Sequence, residues 1–333
     1  MKANFLICLC FLILNSCSSF NHENRFKFNK EGEFKIVQFT DLHIQKAVSD
    51  SVFDLTKKII DFENPDLVVI TGDLIFEDSI NDLLSKLATI FAEKKVHWVI
   101  VYGNHDDEFG LSRKKLTQIL RSFPYNLNSS TSGINGESNF IIPISGRKNK
   151  HEALLYFFDS NGKIQLKDSI MGKYDWIDFS QIEWYRSQSV IYTKKNKGNP
   201  IPSLAFFHIP LPEYKEFFGK DSVYCIGSRK EFPCSPSVNS GLFTSMLERN
   251  DIMGVFVGHD HVNDYIGYLK GIALAYGRFS GSKNVYGVSA GARVIVLKEG
   301  KHEFETWIRL KGGEILNYCQ YPNTFNICLK KAH

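Results

Sequence analysis

The 333-residue sequence has little excess charge: 40 Lys and Arg stand against 36 Asp and Glu, a formal net charge of +4. The two signs are interleaved and form no basic stripe, which argues against a nucleic-acid binder. No apolar run approaches the roughly 20 residues that a membrane-spanning helix needs. Internal repeats and low-complexity tracts are also missing, which argues against solenoids and compositionally biased segments. None of the seven cysteines has metal-ligand spacing, so a cysteine-based zinc site is not expected. What is present is ordinary globular material, 43% hydrophobic and 23% charged. The length suffices for one large domain or two small ones with a substantial core.

The amino terminus points out of the cytoplasm. Met1-Lys2 opens a short charged region and Phe5 to Leu14 follows as an apolar stretch, the layout of an export signal. The stretch ends Leu14-Asn15-Ser16-Cys17, which resembles the bacterial lipobox. Residues 1–16 are expected to be a signal peptide and residues 17–33 a polar tether. The resemblance implies that Cys17 is lipidated, so that the exported chain is a membrane-anchored lipoprotein facing the periplasm or the cell exterior. Cys8 and Cys10 lie in the signal. That leaves Cys225, Cys234, Cys319 and Cys328, an even number in an oxidising compartment. Three pairings are open, and closeness in sequence favours Cys225–Cys234 with Cys319–Cys328.

Periodicity then lays out the domain, expected over 34–333. Phe34 to Phe39 reads as a strand. Val52, Leu55, Ile59 and Phe62 recur at helical spacing until Asn64-Pro65-Asp66 breaks the pattern. Leu67 to Ile70 is a short continuous apolar run, as in a strand covered on both faces. Ile80, Leu83, Leu84, Leu87 and Phe91 mark a second helix, and Trp98 to Val101 a third strand. Strands alternating with helices imply a parallel sheet. Asn126 to Glu137 reads as a long loop. Further strands are expected at Phe140 to Ile144, Leu154 to Phe158, Leu204 to Phe207 and Val255 to Val257. Ser180 with Glu183 predicts a capping box for a helix through Ser189. Pro210 and Pro212 predict an irregular loop. Met246-Leu247 closes another helix, and strands at Ile272 to Tyr276, Arg293 to Leu297 and Phe304 to Leu310 complete the chain. The expected class is α/β, with two mixed sheets packed together and flanked by helices.

Five short segments carry the chemistry: Asp41-Leu42-His43, Gly72-Asp73, Gly103-Asn104-His105-Asp106, His208, and Gly258-His259-Asp260-His261. Each follows or closes an apolar run. Ligands in such sheets sit beyond the carboxyl ends of strands, which gathers these groups at one edge. The Asp73 carboxylate has two oxygens and can bridge two cations. Asn104 offers a neutral carbonyl oxygen, and the histidines supply imidazoles. Mixed nitrogen and oxygen ligation suits manganese, iron or zinc better than calcium or magnesium. This is the inventory that a two-metal phosphoester hydrolase needs.

Together, from about Lys35 to Tyr265, these segments resemble the calcineurin-like metallophosphoesterases. The resemblance implies a four-layer αββα sandwich around two metal ions. Asp41, His43, Asp73 and His261 would hold the first ion, and Asp73, Asn104, His208 and His259 the second. A hydroxide held on the metals would be the nucleophile. His105 would assist the leaving group, with Asp106 as its orienting partner. His208-Ile209-Pro210-Leu211-Pro212-Glu213 and Tyr276-Gly277-Arg278-Phe279-Ser280-Gly281 look like a subgroup near the purple acid phosphatases. Two positions depart from the purple enzymes. Phe76 stands where they have a metal-bound Tyr, and His43 where they have Gly, so a tyrosinate–iron centre is not expected.

The function expected is a phosphomonoesterase on small extracytoplasmic substrates. The rivals are a phosphodiesterase on nucleotides or lipid headgroups, a nuclease, and a lipid-anchored binding protein with a vestigial metal site. A cavity open on both sides of the metals favours a diesterase. A cavity capped by Arg278 and the aromatics Tyr174, Trp176, Trp184 and Tyr185 favours a monoesterase.

Overall fold

In the computed structural model, residues 25–77, 80–108, 110–164, 172–218, 224–282 and 286–331 are described, with side chains as far as Ile327. The signal peptide and Cys17 lie outside the described residues. The chain begins with β1 (Phe26–Lys27) and β2 (Glu33–Thr40), followed by α1 (Ser49–Glu63), β3 (Leu67–Thr71), α2 (Ile80–Glu93), β4 (His97–Val101) and α3 (Arg113–Leu120). Next come β5 (Phe140–Ser145), β6 (His151–Phe157), α4 (Phe179–Lys195), β7 (Ser203–Phe206), β8 (Cys225–Ile226), α5 (Leu242–Arg249) and β9 (Ile252–Val257). The chain closes with β10 (Ile266–Leu269), β11 (Ile272–Tyr276), β12 (Arg278–Phe279), β13 (Gly291–Lys298), β14 (Phe304–Leu310), β15 (Ile315–Tyr321) and α6 (Asn323–Lys331).

The strands form two mixed sheets. One has the order β1-β5-β6-β7-β9-β11-β10-β8; the other runs β15-β14-β13-β2-β3-β4, with β12 beside β2. Within them β2, β3 and β4 are parallel, as are β6, β7, β9 and β11. The sheets pack face to face through Ile36, Val69 and Ile295 on one side and Leu155, Phe206 and Phe256 on the other. The outer face of the second sheet is covered by α1 and α2 through Val52, Ile59, Leu84 and Phe91. The outer face of the first is covered by α4 and α5 through Trp184, Tyr185 and Met246. This is a four-layer α/β/β/α arrangement, as expected for the fold class. Both sheets send the carboxyl ends of their parallel strands towards the same region, and that places the site.

Several local expectations are corrected. The segment read as a tether is folded from β1 onward: Phe26 and Phe28 are buried against Phe34, and β1 pairs with Ile144 and Ser145. Polar flanking residues had masked two aromatic anchors. The cap of α4 is Asp178, not Ser180. Its carboxylate accepts from the Ser180 and Gln181 amides, and Gln181 Oε1 accepts from the Asp178 amide, so the box sits two residues earlier. That helix runs on to Lys195. Phe62, expected on the buried face of α1, is 49% exposed and lies beneath the Arg309 guanidinium; Phe53 and Ile60 are buried instead. Pro212 opens a 3-10 turn to Phe217 rather than an irregular loop. Cys225 and Cys234 are free thiols, so the expected bond between them is not formed; Cys225 is committed to β8 and the Cys234 amide donates to Asp260. The side chain of Cys328, and with it the expected Cys319–Cys328 pair, lies outside the described residues.

Candidate metal centre

Loops leaving β2, β3, β4, β7 and β9 carry Asp41 and His43, Asp73, Asn104 and His105, His208, and His259 and His261, respectively. Small side chains let the two sheets approach. A Cβ at Gly258 would lie 1.9 Å from Thr40 Oγ1 and 2.8 Å from the Thr71 carbonyl; one at Gly103 would lie 2.2 Å from Asp73 Oδ1. The loops are then tied across the sheets. Gln38 Nε2 donates to Thr71 Oγ1 and to the Val257 carbonyl, and the Gly258 amide donates to the His208 carbonyl. Asp41, His43, Asp73 and His259 all have positive φ, between 44° and 78°. Such conformations cost non-glycine residues on the order of 1–3 kcal/mol each and cluster at functional sites.

The side chains converge. Asp41 Oδ1 lies 3.3 Å from His261 Nε2 and 3.7 Å from His43 Nε2. Asp73 Oδ2 lies 3.6 Å from His43 Nε2 and 3.4 Å from His208 Nε2, so one carboxylate faces both halves of the site. His208 Nδ1 sits 2.7 Å from the Thr71 carbonyl, which fixes the ring and turns Nε2 inward. His259 Nδ1 stands 3.2 Å from that Nε2. Two ligand groups result, Asp41–His43–His261 and Asp41–Asp73–His208, each with ligand atoms within 4.8 Å of one another.

The decisive feature is what these atoms do not bond. Asp41 Oδ1, His43 Nε2, Asn104 Oδ1, His259 Nε2 and His261 Nε2 are buried without a hydrogen-bond partner among the described residues. Buried polar atoms are normally paired. Five unpaired donor atoms on one site, with mixed nitrogen and oxygen chemistry, fit two transition-metal ions held as the resemblance implies.

Electrostatics agree. Burial would raise the Asp41 carboxyl, but His261 and His208 outweigh it and bring it down to about 2. Burial opposes the charge on Asp73 as well, yet His208 and His43 hold it well below its ordinary range. Against its own burial, His208 is pushed up to about 10 by Asp73 and Asp41. For His259, burial and then the His208 charge push the ring down to about 3.

His105 sits at the rim, with its amide donating to Asp73 Oδ1. Its Nδ1 is hydrogen-bonded to Glu108, not to Asp106, and Glu108 Oε1 is 2.5 Å from Lys163 Nζ. The expected role of Asp106 is therefore corrected. Its carboxylate is filled by the amides of Asp73, Leu74 and Gly103, and so braces two metal-ligand loops. Phe76 packs between His43 and His105, with ring centroids at 4.2 and 4.6 Å.

Other candidates separate. Arg278 is buried in an ion pair with Asp264 and donates to the Ser289 carbonyl, so it does not cap the site. Trp184 and Tyr185 pack in the core against Tyr156 and Phe158, whereas Tyr174 meets the site, edge-on to His259 at 4.6 Å. The Asp260 carboxylate accepts from the Tyr276 hydroxyl and the Cys234 amide, and so steadies the loop between its flanking histidines. Sequence reasoning missed Glu108 and Tyr286. The first had a readable signal, its place three residues after His105. The second, stacked on His261 at 4.3 Å, comes from a stretch without any motif.

Two cavities flank the centre. One, of ≈ 630 Å³, opens off Asn104 and Glu108. The other, of ≈ 290 Å³, is walled by His43, Phe76, Phe279 and Tyr286.

Comparison with known proteins places the chain in a family. The family model for calcineurin-like phosphoesterases matches residues 34–263. The chain is 33% identical over 344 residues to probable inactive purple acid phosphatase 29 of Arabidopsis thaliana, covering 92% of this chain and 86% of the relative. It is 34% identical over 326 residues to phosphatase DCR2 of Saccharomyces cerevisiae, covering 86% of this chain and 55% of that protein. A dimetal phosphatase from Danio rerio superposes with a TM-score of 0.58 at 12% identity, covering 86% of this chain and 98% of that one. The purple acid phosphatase PPD1 of yellow lupin (Lupinus luteus) gives 0.52 at 13% identity, covering 89% of this chain and 54% of that one. With its family model matched over most of its length, the chain belongs to the calcineurin-like phosphoesterase family.

Proposed function

We propose that the protein is a dinuclear-metal phosphomonoesterase acting on small phosphorylated substrates outside the cytoplasm, exported by residues 1–16 and held to a membrane by a lipid on Cys17. The observation that carries the hydrolase reading is the set of buried, unpaired nitrogen and oxygen atoms from Asp41, His43, Asn104, His259 and His261 around the Asp73 carboxylate. The Arabidopsis relative is named probable inactive, the yeast one a phosphatase. Each of the seven ligand positions in this chain carries a competent donor, and that favours activity. No helix among the described residues is long and apolar enough to cross a membrane.

The roles divide as follows. Asp41, His43, Asp73 and His261 would hold one ion and Asp73, Asn104, His208 and His259 the other. Bound there, the ions would supply charge neutralisation for a phosphoryl group and lower the pKa of water. His105, fixed by Glu108, presents its ring to the departing oxygen. Phe76 shields the flank between His43 and His105 from water. It brings no phenolate, so a purple charge-transfer colour is not expected.

A second reading, phosphodiester hydrolysis, is favoured by one observation: Arg278 does not cap the site and a cavity lies on each side. Hydrolysis of p-nitrophenyl phosphate against bis-p-nitrophenyl phosphate decides between them, using the signal-less chain reconstituted with manganese, zinc or iron. Monoester turnover that is lost in Asp73→Asn supports the first reading. Preference for the diester supports the second. A folded protein that binds no transition metal and turns over neither ester sinks both.

A further inference from the structure

We infer that the alcohol released by this site is a neutral polyhydroxylated one, a sugar or other polyol, seated in the cavity beside Asn104. This rests on the hydrolase reading and names its substrate class. The cavity adjoins both Asn104, a candidate metal ligand, and Glu108, which holds His105. It therefore lies on the side to which the leaving oxygen departs. Its volume of ≈ 630 Å³ exceeds what a phosphoryl group alone needs.

The lining is what selects the ligand. Asn135, Glu137, Asn161 and Lys163 line the space; the Asn161 side-chain amide already donates to the Trp176 carbonyl and Lys163 is paired with Glu108, which leaves Asn135 and Glu137 as its open polar groups. The Glu137 carboxylate accepts no hydrogen bond from a described residue, and neither does the Asn135 side-chain oxygen. Hydroxyl groups satisfy such acceptors by donating to them. Four carboxylates line the cavity, Asp107, Glu108, Glu137 and Asp159, against two cations, Arg113 and Lys163. Both cations are already paired: Arg113 with Asp159 and Asp107, Lys163 with Glu108. A leaving group carrying a second phosphate meets net negative charge there. Ile134 is the single large apolar side chain among the described lining residues, so a planar base gains little stacking area from them. The floor is rigid: Arg113 also donates to the Gly103 and Asn161 carbonyls and ties the metal-ligand loop to the cavity wall.

The test compares kcat/KM for a hexose 6-phosphate, a nucleoside 5′-monophosphate, a nucleoside diphosphate and p-nitrophenyl phosphate, with the manganese-loaded chain. Asn135→Trp, an exposed position at the mouth, fills the cavity, and Glu137→Gln removes an acceptor. The hexose ester is expected to be preferred over both nucleotides. Its kcat/KM relative to p-nitrophenyl phosphate should fall about tenfold or more in Asn135→Trp, mainly through KM. Glu137→Gln should act in the same direction, more weakly, and its circular dichroism confirms folding. Equal loss on both esters, or preference for a nucleotide, overturns the inference while leaving the hydrolase reading intact. No turnover of any ester, aryl phosphate included, overturns both.

Discussion

At the scale of single residues the site separates groups that bind from groups that brace. Glu108 belongs to the second kind: it touches the His105 ring and, through its other oxygen, Lys163. If it orients that ring, its removal weakens help to the departing oxygen and little else. Glu108→Gln is then expected to slow esters of poorly acidic alcohols by about 10²-fold or less, within the range of general acid catalysis. The aryl ester, whose leaving group needs less help, should lose clearly less, and Glu108→Asp should recover part of the difference. A uniform loss across leaving groups would make Glu108 a merely structural residue. Arg278 makes the opposite case. A guanidinium in a glycine-flanked loop after the last motif suggests a phosphate clamp, yet it is buried against Asp264. Arg278→Ala removes the ion-pair partner of that buried carboxylate, which keeps only the Ser228 amide and the Asn317 side chain as donors, at a cost of about 3–5 kcal/mol. The denaturation midpoint should drop while the KM of the surviving folded protein stays near the parent value. A raised KM with unchanged stability would restore the clamp.

At the scale of elements, the close approach of β2, β3 and β9 holds the site together. Gly258→Ala is expected to push Thr40 and the Thr71 carbonyl away from the β9 loop, since its Cβ would meet them at 1.9 and 2.8 Å. Overpacking of this kind costs about 1–3 kcal/mol, and here it also displaces His259 and Asp41, so metal stoichiometry should fall along with the melting temperature. Retention of two metals with only a stability loss would mean that the sheets have slack here. The metal-ligand segments were legible because short apolar strands end in the same residue types, and strand ends are where parallel sheets present ligands. The order of β2, α1, β3, α2 and β4 was legible from periodicity for the same reason. What periodicity could not show was partnership. His105 followed by Asp106 suggests a pair, but backbone amides of two loops claim Asp106 first. Asp178 outcompetes Ser180 as a cap because its carboxylate reaches two amides. The two-residue strands β1, β8 and β12 are too short for any pattern, and depend on their neighbours for pairing.

For the whole molecule, the metal-free site is a balance of protons that metals must displace. His208, pushed up to about 10 by Asp73 against its own burial, holds a proton at neutral pH, whereas His259, pushed down to about 3 by burial and the His208 charge, does not. The two act in opposite directions on stability. The folded pKa of His208 lies above its ordinary 6.5, so its contribution is fully present below 6.5 and is lost as pH rises towards 10. The folded pKa of His259 lies below 6.5, so stability is lost as pH falls from 6.5 towards 3; Asp41, lowered to about 2 from 3.8, adds to that acid-side loss. From these three groups the metal-free protein loses stability on both sides of pH 6.5. Metals need the imidazole lone pairs, so they compete with the His208 proton, and uptake should release about one proton or more at neutral pH. The rise in melting temperature on adding manganese is then expected to grow from pH 6.5 upward and to shrink below it. Thermal melts with and without metal across this range, together with proton release in weakly buffered titration, measure both quantities. A metal-induced shift that is flat with pH, or that strengthens on acidification, would mean that the histidines gathered around Asp73 are not the groups that bind the ions.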